Sequence, residues 1–491
     1  MPSAMWTWLL LFLSIAHVAP LCTTQLSSTN HPDHDVIIVG GSICGLASAV
    51  ALKTQLSPIS VQIYERATSL KPTGALLSLF PNGMTALQNI LGDLHTLGDP
   101  KRTLWDILNQ QSVPLQQTIV RQVLSGRVTD ERVVKSVDKT NEGKSPGRFI
   151  LWYQLQNILL EALEVASLAD ENENCMSLGC EFQSYYFDNS TGLVHTKFRT
   201  RTDTGEITIT KTCRLLIGAD GIRSTIRPLI SQSGTTPQIR SYKRIIFRSL
   251  IDATGVAPEL IPSIGTALVY KSAINVGQIF KLQPCSEQKT IALTATASTE
   301  DTEEVVRQWH SKEIISNWKK AFSEFPRDVV DLIDLSPSVY TNCVSDLHIG
   351  DEAESPTFCW SNGDEPVVLV GDAVHGMTPS LGQGANVCME DAIELAMILK
   401  HTSYCESDTT DAGIRDMTHV QVMKAIRQFQ AARNDRVVEI HHSSRNQASQ
   451  KLSGDSSLKK YQEKNKDFFR RLYEWTPTSF LTNKLISPTN A

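Results

Sequence analysis

The chain of 491 residues is 41% apolar and 20% charged, which is typical of a globular protein with two or three domains. Its formal net charge of −6 offers no basic surface to nucleic acid, so no nucleic-acid partner is expected. The ten cysteines lack CxxC pairs and metal-ligand spacing, so the sequence predicts neither a metal site nor a disulfide framework.

The first predicted strand is preceded by residues 1–33, which contain an apolar run from Met5 to Val18. The length of this run suits a secretory signal, and residues 6–22 are marginal for a membrane anchor, which needs about 20 apolar residues. No Lys or Arg precedes the run, and Pro20 disrupts the most obvious cleavage site. We expect membrane association or entry into the secretory pathway through this segment, with a cytoplasmic location as the alternative.

The first chemical motif spans residues 35–46, where an apolar strand enters a glycine-rich turn and then a helix. Gly40 permits a tight turn, and Gly45 permits close packing of helix on strand, so a pyrophosphate can lie at the helix N-terminus. Glu65 follows at the end of the next strand, where an acid would bind an adenosine ribose. Ser42 occupies the position of the usual second glycine. The pattern predicts nucleotide binding.

A second motif, residues 215–227, repeats the sequence of strand, turn and helix. Its apolar strand delivers Asp220 and Gly221 into the turn. Ser224 is placed to cap the short helix that follows.

The segments outside the motifs are interpreted from periodicity and turn residues. The predicted elements are a turn and short helix from Pro81, a helix over 151–163, antiparallel strands over 242–251, 266–270 and 290–296, helices within 302–333, and a polar amphipathic helix over 420–446. That last helix is interpreted as a solvated packing element, and the tail from residue 454 receives no role. Tyr242, Arg248 and Tyr270 lie on the predicted strands, where substrate contact and an ordinary strand role both stay open.

The third motif, residues 370–399, follows an apolar strand, turns through Gly and Pro, and becomes helical at Gly384. Unpaired N–H groups and the dipole at that helix start favour nearby negative charge. His375 is interpreted as making a structural hydrogen bond within the loop rather than as a catalyst. Glu390 and Asp391 are adjacent and would point to different helix faces, which favours helix positioning or solvent exposure over a paired acid–base role.

The three motifs, in this order, resemble those of the FAD-dependent single-component flavoprotein monooxygenases, the aromatic hydroxylase and epoxidase family. The resemblance includes para-hydroxybenzoate hydroxylase-like and fungal terpenoid epoxidase-like members. It implies an α/β fold with a Rossmann-like FAD-binding domain of the glutathione-reductase type, built on a parallel sheet. An inserted mixed or antiparallel β-sheet would cover the substrate, and helices would follow at the C-terminus.

The resemblance also implies a discontinuous organisation of domains. The FAD-binding domain is expected over residues 34–105, 149–235 and 345–400. The substrate-covering sheet and helices are expected over residues 106–148 and 236–344. A C-terminal helical region and tail would span residues 401–491, and residues 1–33 would precede all of these.

The family's cofactor-binding positions carry over to matching residues of this sequence. They are Gly40, Gly41, Ser42, Gly45, Glu65, Arg66, Ser78, Asp220, Gly221, Asp372, Pro379, Gly382, Gly384, Ala385 and Asn386. In the family, Asp372 would hold ribityl or ribose hydroxyls, and Pro379 would lie near the reactive face of the flavin. Many relatives have an FAD-contacting Arg near the start of helix 151–163. This chain has Trp152 there, so that contact is missing or supplied differently.

The resemblance implies a monooxygenase in which NADPH or NADH acts as a transient electron donor to FAD. O2 would then form a C4a-hydroperoxide of the flavin, which passes one oxygen atom to an aromatic ring or alkene of a small lipophilic substrate. No catalytic residue is named, and the oligomeric state stays open. Two alternatives also stay open, an FAD-dependent reductase or oxidase on the same fold and a flavin-binding protein without turnover.

Overall fold

A computed structural model of the chain describes residues 31–71, 76–135, 147–168, 174–202, 205–231, 237–275, 277–285, 289–349, 358–405, 413–453 and 465–477. The residues from Pro32 onward form one compact unit. In these ranges no helix combines the length and the apolar character needed to cross a bilayer. Residues 1–30, which hold the predicted signal or anchor, lie outside the described ranges, so that prediction stays a prediction.

The strands are numbered in chain order. They are β1 (His34–Val39), β2 (Val61–Glu65), β3 (Leu76–Leu79), β4 (Val113–Pro114), β5 (Gln117–Leu124), β6 (Arg127–Lys135), β7 (Arg148–Leu151), β8 (Met176–Leu178), β9 (Cys180–Asp188), β10 (Leu193–Thr202), β11 (Gly205–Gly218), β12 (Ile239–Asp252), β13 (Thr266–Ser272), β14 (Ile279–Pro284), β15 (Thr290–Ser298), β16 (Tyr340–Leu347) and β17 (Val367–Leu369).

The α-helices are numbered in the same way. They are α1 (Ile43–Leu56), α2 (Pro81–Leu91), α3 (Leu104–Gln111), α4 (Trp152–Ser167), α5 (Arg227–Ile230), α6 (Glu303–Gln308), α7 (Ser311–Ala321), α8 (Arg327–Asp331), α9 (Asp372–His375), α10 (Gly384–Cys405), α11 (His419–Ser453) and α12 (Lys466–Tyr473).

The first sheet has the strand order β8-β2-β1-β11-β10-β9, and β17 pairs with β11. β8, β2, β1, β11 and β17 pair in parallel, whereas β10 and β9 extend the sheet in antiparallel fashion. The parallel strands β1 and β17 are buried along nearly their whole length, as continuous apolar runs in covered sheets are. Helix α1 packs between this sheet, α4 and α10.

The second sheet has the order β16-β12-β15-β14-β13-β5-β6. Its pairs are antiparallel except for β13 and β5, which run in parallel. One face carries an apolar cluster that packs on α6, α7 and α8. At its centre the indole of Trp318 stacks on Phe247 and Phe280, with ring centroids 5.4 and 5.7 Å apart. This sheet therefore has its own core on one side only.

A short antiparallel sheet, β3-β7-β4, completes the strands. The predicted fold class is confirmed, because a Rossmann-like parallel sheet, a mixed second sheet and C-terminal helices are all present. The domain limits given from the sequence stay predictions. Some element limits were wrong: residues 81–83, predicted as a turn, form the first turn of α2, where Pro81 fits because that turn needs no N–H donor. Helix α11 extends to Ser453, beyond the predicted end at residue 446.

Candidate active site

Four parallel strands of the first sheet, β2, β1, β11 and β17, end side by side. Their ends are joined by backbone hydrogen bonds: Gly40 N donates to the Tyr64 carbonyl at 2.9 Å, and Val370 N donates to the Gly218 carbonyl at 3.0 Å. The predicted residues at these ends are Glu65, Gly40, Asp220 and Asp372. The carboxyl edge of a parallel sheet is where ligands bind in open α/β folds, so the motifs meet where a nucleotide would lie.

The glycine-rich turn after β1 leaves no room for side chains. Gly40 has φ of 110°, and a Cβ there would lie 2.4 Å from the carbonyl oxygen of Ala219. A Cβ on Gly45 would lie 1.9 Å from the carbonyl oxygen of Gly40. Both positions therefore require glycine, because a side chain would collide with neighbouring backbone. The turn has the properties that the sequence predicted.

Glu65 is fixed against this turn. Its Oε2 accepts a hydrogen bond from Gly41 N at 2.7 Å, and its Oε1 accepts one from Ala67 N at 2.8 Å. Helix α4 supports the same loop, because the Gln156 amide donates to the Gly41 carbonyl at 3.2 Å. The contact from α4 to this loop is therefore made by the Gln156 amide, whereas many relatives carry an Arg near the start of the corresponding helix. Ser42 is the N-cap residue of α1, but its hydroxyl makes no capping hydrogen bond.

The N-termini of two long helices meet beside the turn. Gly371 (φ 60°) lies against both, since a Cβ there would be 2.6 Å from the Cys44 sulfur in α1 and 3.3 Å from Cys388 Cβ in α10. The free amides and the dipoles of both helix starts place partial positive charge at this edge of the sheet. That charge favours a pyrophosphate or a reduced, anionic ring system.

Two carboxylates present unused acceptor atoms at this edge. Asp220 Oδ2 accepts hydrogen bonds from the backbone N and hydroxyl of Thr225 at 2.7 and 3.0 Å, while Oδ1 is buried and has no partner among the described residues. No described residue donates to Asp372, which is solvent-accessible on one side. Protein surrounds its other sides, so burial raises the pKa of Asp372 although His375 acts in the opposite direction. Gly384 lies opposite, with a Cβ position 3.9 Å from Asp372 Oδ1.

The side chain of Asn386, in the first turn of α10, is hydrogen-bonded to three backbone groups of the site. Its amide nitrogen donates to the carbonyls of Ser78 and Gly382, each at 2.9 Å, and its Oδ1 accepts from Phe80 N at 2.8 Å. The fully buried side chain therefore joins β3, the loop after α9 and the start of α10. The side chain of Asn386 is thus fully used within the protein, and the predicted contact of its backbone with the flavin stays a prediction.

The remaining predicted cofactor residues differ in how open they are. Gly221, Ser78, Gly382, Gly384 and Ala385 are half-buried, whereas Arg66 and Pro379 are exposed. The hydrogen bonds of Asn386 bring Ser78 and Gly382 together. Arg66 makes no side-chain hydrogen bond or ion pair with the other predicted residues within the described ranges. The family resemblance also implies flavin-contacting backbone near residues 74–78, of which residues 74 and 75 lie outside the described ranges.

His375 is fully buried, and its Nε2 donates to Asp391 Oδ2 at 2.6 Å. The same oxygen accepts from Gly371 N at 3.0 Å. A structural hydrogen bond for His375 was predicted, but its partner lies in α10 rather than within the loop. Burial by itself would raise the pKa of Asp391, but His375 and Arg433 together outweigh it and lower the pKa. His375 therefore fixes the loop that ends in Asp372.

Glu390, Asp391, Arg433 and Arg436 form a buried ion cluster between α10 and α11. Arg433 contacts both acids, with its NH1 2.8 Å from Glu390 Oε2 and its Nε 2.9 Å from Asp391 Oδ1. Arg436 donates twice to Glu390, at 2.7 and 2.8 Å. Of the two alternatives given for these acids, helix positioning is confirmed by the ion pairs, and solvent exposure is wrong because both acids are fully buried. The solvated interpretation of α11 was wrong on this face, since Arg433 is 1% exposed.

The buried ion cluster reaches the rest of the site through Asn82. The Asn82 amide donates to Glu390 Oε1 at 2.7 Å and to Gln383 Oε1 at 2.9 Å. One end of α2 and the residue before Gly384 are thereby tied to the same cluster. Its ion pairs set the positions of the predicted flavin-binding segments.

The C-terminal segment 465–477 packs on this assembly, although the sequence assigned it no role. Tyr473 stacks on Phe80 with ring centroids 5.7 Å apart. Arg436 NH2 donates to the Leu472 carbonyl at 2.9 Å, and the Trp475 ring lies 5.9 Å from the guanidinium carbon of Arg433. The segment therefore covers both the buried ion cluster and the turn that follows β3.

Of the three residues on the predicted cover strands, two have structural roles. Tyr270 lies in the core under α7, where its hydroxyl bonds to Arg121. The Tyr242 hydroxyl donates to the buried Asp346 at 2.7 Å. Arg248 is half-buried on the other face of the second sheet and donates to Asn342 Oδ1. Substrate contact therefore stays open for Arg248 among these three residues.

Sequence reasoning missed the roles of Arg433, Arg436 and Trp475. One signal was present, because Arg433 and Arg436 are three residues apart and so lie on one face of a helix. Their acidic partners are adjacent in α10 and carry charge within an otherwise apolar helix. Charged side chains on a buried helix face are stable only when they are paired. The two arginines of one helix and the two acids of the other could therefore have been matched from the sequence.

These features fit FAD. The turn at Gly40 has backbone in place of side chains, Asp220 Oδ1 lacks a partner among the described residues, and Asp372 faces open space. A dinucleotide supplies hydroxyl donors for such carboxylates and an anionic pyrophosphate for the helix N-termini.

Comparisons with known proteins agree with this geometry. The profile of the family described as FAD binding domain matches residues 33–408. Over 410 residues the chain is 23% identical to an FAD-dependent urate hydroxylase of Klebsiella pneumoniae, covering 82% of this chain and 87% of that protein. It is 26% identical over 364 residues to the 2-heptyl-3-hydroxy-4(1H)-quinolone synthase of Pseudomonas aeruginosa, covering 74% and 80%.

Solved structures show the same fold. The crystal structure of Klebsiella pneumoniae HpxO with FAD and uric acid superposes with a TM-score of 0.62 at 20% identity, covering 93% of this chain and 99% of that chain. A salicylate hydroxylase substrate complex gives a TM-score of 0.62 at 18% identity, covering 94% and 100%.

The family profile spans most of the chain, so this protein belongs to the FAD-binding domain family. It is an FAD-dependent monooxygenase, of the class that uses NAD(P)H as electron donor and O2 as oxidant.

Proposed function

We propose that FAD lies along the carboxyl edge of the parallel strands. Glu65 and the turn from Gly40 to Gly45 would hold its adenosine and pyrophosphate. Asp372 would accept hydrogen bonds from ribityl or ribose hydroxyls. The observation that carries the proposal is that the Asp372 carboxylate, which has no partner among the described residues, faces Gly384, with 3.9 Å between its Oδ1 and the Cβ position of Gly384.

The chain's own groups would act on the flavin in three ways. The backbone N–H groups at Gly384 and Ala385 begin α10 and would stabilise negative charge on the flavin pyrimidine. Asn386 and the buried ion cluster would keep that backbone in place. Pro379 and the buried Leu381 would restrict water near the reactive ring. When bound, FAD supplies electron transfer from NAD(P)H and activation of O2.

The proposed reaction inserts one oxygen atom into an aromatic or alkene carbon of a small lipophilic substrate. Substrate, O2, NAD(P)H and a proton give hydroxylated or epoxidised product, water and NAD(P)+, so electrons and atoms balance. The names of the relatives support an electron-rich ring, since urate and a quinolone are both heteroaromatic. NADPH is proposed as the preferred donor.

The test uses the full chain reconstituted with FAD, given NADPH under oxygen-18 gas and a panel of aromatic acids, heteroaromatic compounds and terpenoid alkenes. We expect faster NADPH oxidation with one panel compound and one labelled atom in its product. Release of hydrogen peroxide alone, with no labelled product from any compound that binds, would contradict monooxygenation and favour an oxidase. An anaerobic sample is the control, in which the flavin should be reduced without product.

We also propose that residues 1–33 associate the enzyme with a membrane of the secretory pathway. The apolar run from Met5 to Val18 supports this. Fractionation of cells that express the full chain or a chain starting at residue 34 tests it. Equal recovery of both chains in the membrane-free fraction would contradict the proposal.

A further inference from the structure

The second sheet has one face that α6, α7 and α8 leave uncovered. Phe247 on β12 and Phe280 on β14 point into the apolar core under those helices. Successive side chains of a strand point to opposite faces. Arg248 and Lys281, the next residues along the two strands, therefore lie on the uncovered face.

The strand register places three cations together on this face. Arg248 is paired with Thr294, and Thr294 is paired with Lys281 on the following strand. With neighbouring strands about 4.8 Å apart, the backbones at Arg248 and Lys281 are separated by roughly 10 Å. Lys281 is paired with Val269, so Lys271, two residues further along β13, is a diagonal neighbour at roughly 7–8 Å. We call Arg248, Lys271 and Lys281 the cationic face.

The cationic face is directed toward the predicted flavin site. The next row of the same face, Leu250 and Ala292, packs with Leu151 and Leu76 of the short sheet. Leu76 begins β3, and β3 runs on to Ser78, which Asn386 holds. The short sheet thus joins the cationic face to the start of α10.

The second sheet is attached to the flavin site at its other end as well. On β16, Leu347 N donates to the Gly376 carbonyl at 2.9 Å, directly after the loop that carries Asp372. Leu347 pairs with Ile239 at the start of β12, whereas Leu250 lies near the end of that strand. The cationic face therefore lies between two places where the second sheet contacts the flavin-binding segments, one near Leu347 and the other near Leu250.

None of the three cations is in an ion pair within the described residues, although the strand register places Asp130 on the same face, two strands from Lys271. Lys271 and Lys281 make no hydrogen bond or ion pair there, and Arg248 bonds only to the neutral side chain of Asn342. Burial lowers the pKa of Arg248 and of Lys281. Burial, together with the charges of Arg132 and Lys281, lowers the pKa of Lys271 to about 8. All three residues keep intermediate solvent exposure. Enclosed cations without partners are costly to a fold, and an anion would relieve that cost.

We propose that the cationic face binds the carboxylate of the substrate, so that this enzyme oxidises an aromatic or alkene-bearing organic acid rather than a neutral compound. This inference rests on the proposed function and names the substrate class of the same site. The apolar neighbours Ile246, Val269 and Leu250 on this face would contact the hydrocarbon part. A lipophilic acid satisfies both surfaces.

The test compares 1-naphthoate with 1-naphthamide, which share a ring system and differ in charge. Their dissociation constants for the full chain are measured by equilibrium dialysis, which works with or without bound FAD. We expect the wild-type chain to bind naphthoate at least about tenfold more tightly than naphthamide. Lys281→Met should remove about tenfold or more of the naphthoate affinity and leave naphthamide unchanged, while Lys281→Arg should retain most of it.

Control variants show whether the loss of affinity is specific to the cationic face. Lys289→Met, an exposed lysine outside the cationic face, should behave as wild type. Equal binding of the two probes by wild type, or an unchanged naphthoate affinity in both Lys281→Met and Lys271→Gln, would overturn the inference. Retained FAD and NADPH oxidation would then leave the proposed function intact, whereas loss of FAD binding would count against the proposed function alone.

A second arm distinguishes the substrate acid from the phosphates of the electron donor. The KM for NADPH in the absence of probe should be the same for wild type and Lys281→Met. A raised KM for NADPH with unchanged naphthoate binding would assign the cationic face to the donor phosphates and contradict a substrate role.

Discussion

The side chain of Asn386 joins three segments of the flavin site with three hydrogen bonds. An amide is suited to this position because it donates twice and accepts once without charge. Neither a carboxylate nor an aliphatic side chain can satisfy the two carbonyls and the N–H group together. The side chain of Asn386 therefore positions the backbone that we propose to bind the flavin, but this side chain does not itself face the flavin.

Asn386→Ala should lower the free energy of unfolding by about 2–3 kcal/mol, since buried hydrogen bonds contribute about 1 kcal/mol each. FAD affinity should fall with it, because the start of α10 and β3 lose their connection. Urea unfolding and a flavin titration measure the two effects. Asn89→Ala, at an exposed position of α2, is the matched control and should change neither.

Glu394 makes the stability of α10 depend on pH. Its Oε2 is buried without a partner among the described residues, and burial raises its pKa from 4.5 to about 7. Since the folded pKa lies above the unfolded one, the stabilising contribution is complete below pH 4.5 and is lost as pH rises through about 7. The loss amounts to at most about 3 kcal/mol.

Glu394→Gln should therefore stabilise the protein at pH 8 and flatten the stability profile between pH 4.5 and 7. Thermal unfolding across that range is the measurement. The exposed Glu324→Gln should leave the profile as in wild type. A Glu394→Gln profile that falls as steeply as wild type would show that other groups set the pH dependence.

Helices α10 and α11 are joined by the buried ion cluster. Because desolvated charges are stable only as complete pairs, the two helices form a unit in which each acid depends on Arg433. The periodicity of residues 420–446 was sufficient to predict a helix. It could not show which face packs, because the partners of Arg433 lie about 40 residues earlier and a single sequence does not record helix pairing.

Arg433→Met should cost about 3–5 kcal/mol in the free energy of unfolding, because Glu390 and Asp391 would be left buried without their shared cation. FAD affinity should also fall, since Asp391 holds Gly371 and His375. Arg427→Met, an exposed arginine of the same helix, should stay within about 0.5 kcal/mol of wild type. Equal stability of the two variants would contradict the assigned role of the buried ion cluster.

The site is assembled from four strand ends, two helix starts and two flanking sheets. Glu65, Asp220 and Asp372 were predictable because each follows an apolar strand in a short motif whose local conformation determines its chemistry. The cationic face was not predictable. Its members lie on three strands, and their relation depends on a register that the sequence of any one strand does not specify.

We propose above all that the three motifs hold FAD at the carboxyl edge of the parallel sheet. The measurement that tests it most directly is the FAD content and FAD dissociation constant of the full chain and of Asp372→Ala, with Asp301→Ala as an exposed control. We predict flavin bands at about 375 and 450 nm, one FAD per chain, and a roughly tenfold or greater loss of affinity in Asp372→Ala alone. A colourless wild-type chain that cannot be reconstituted, or an Asp372→Ala variant that binds FAD as wild type does, would contradict the account.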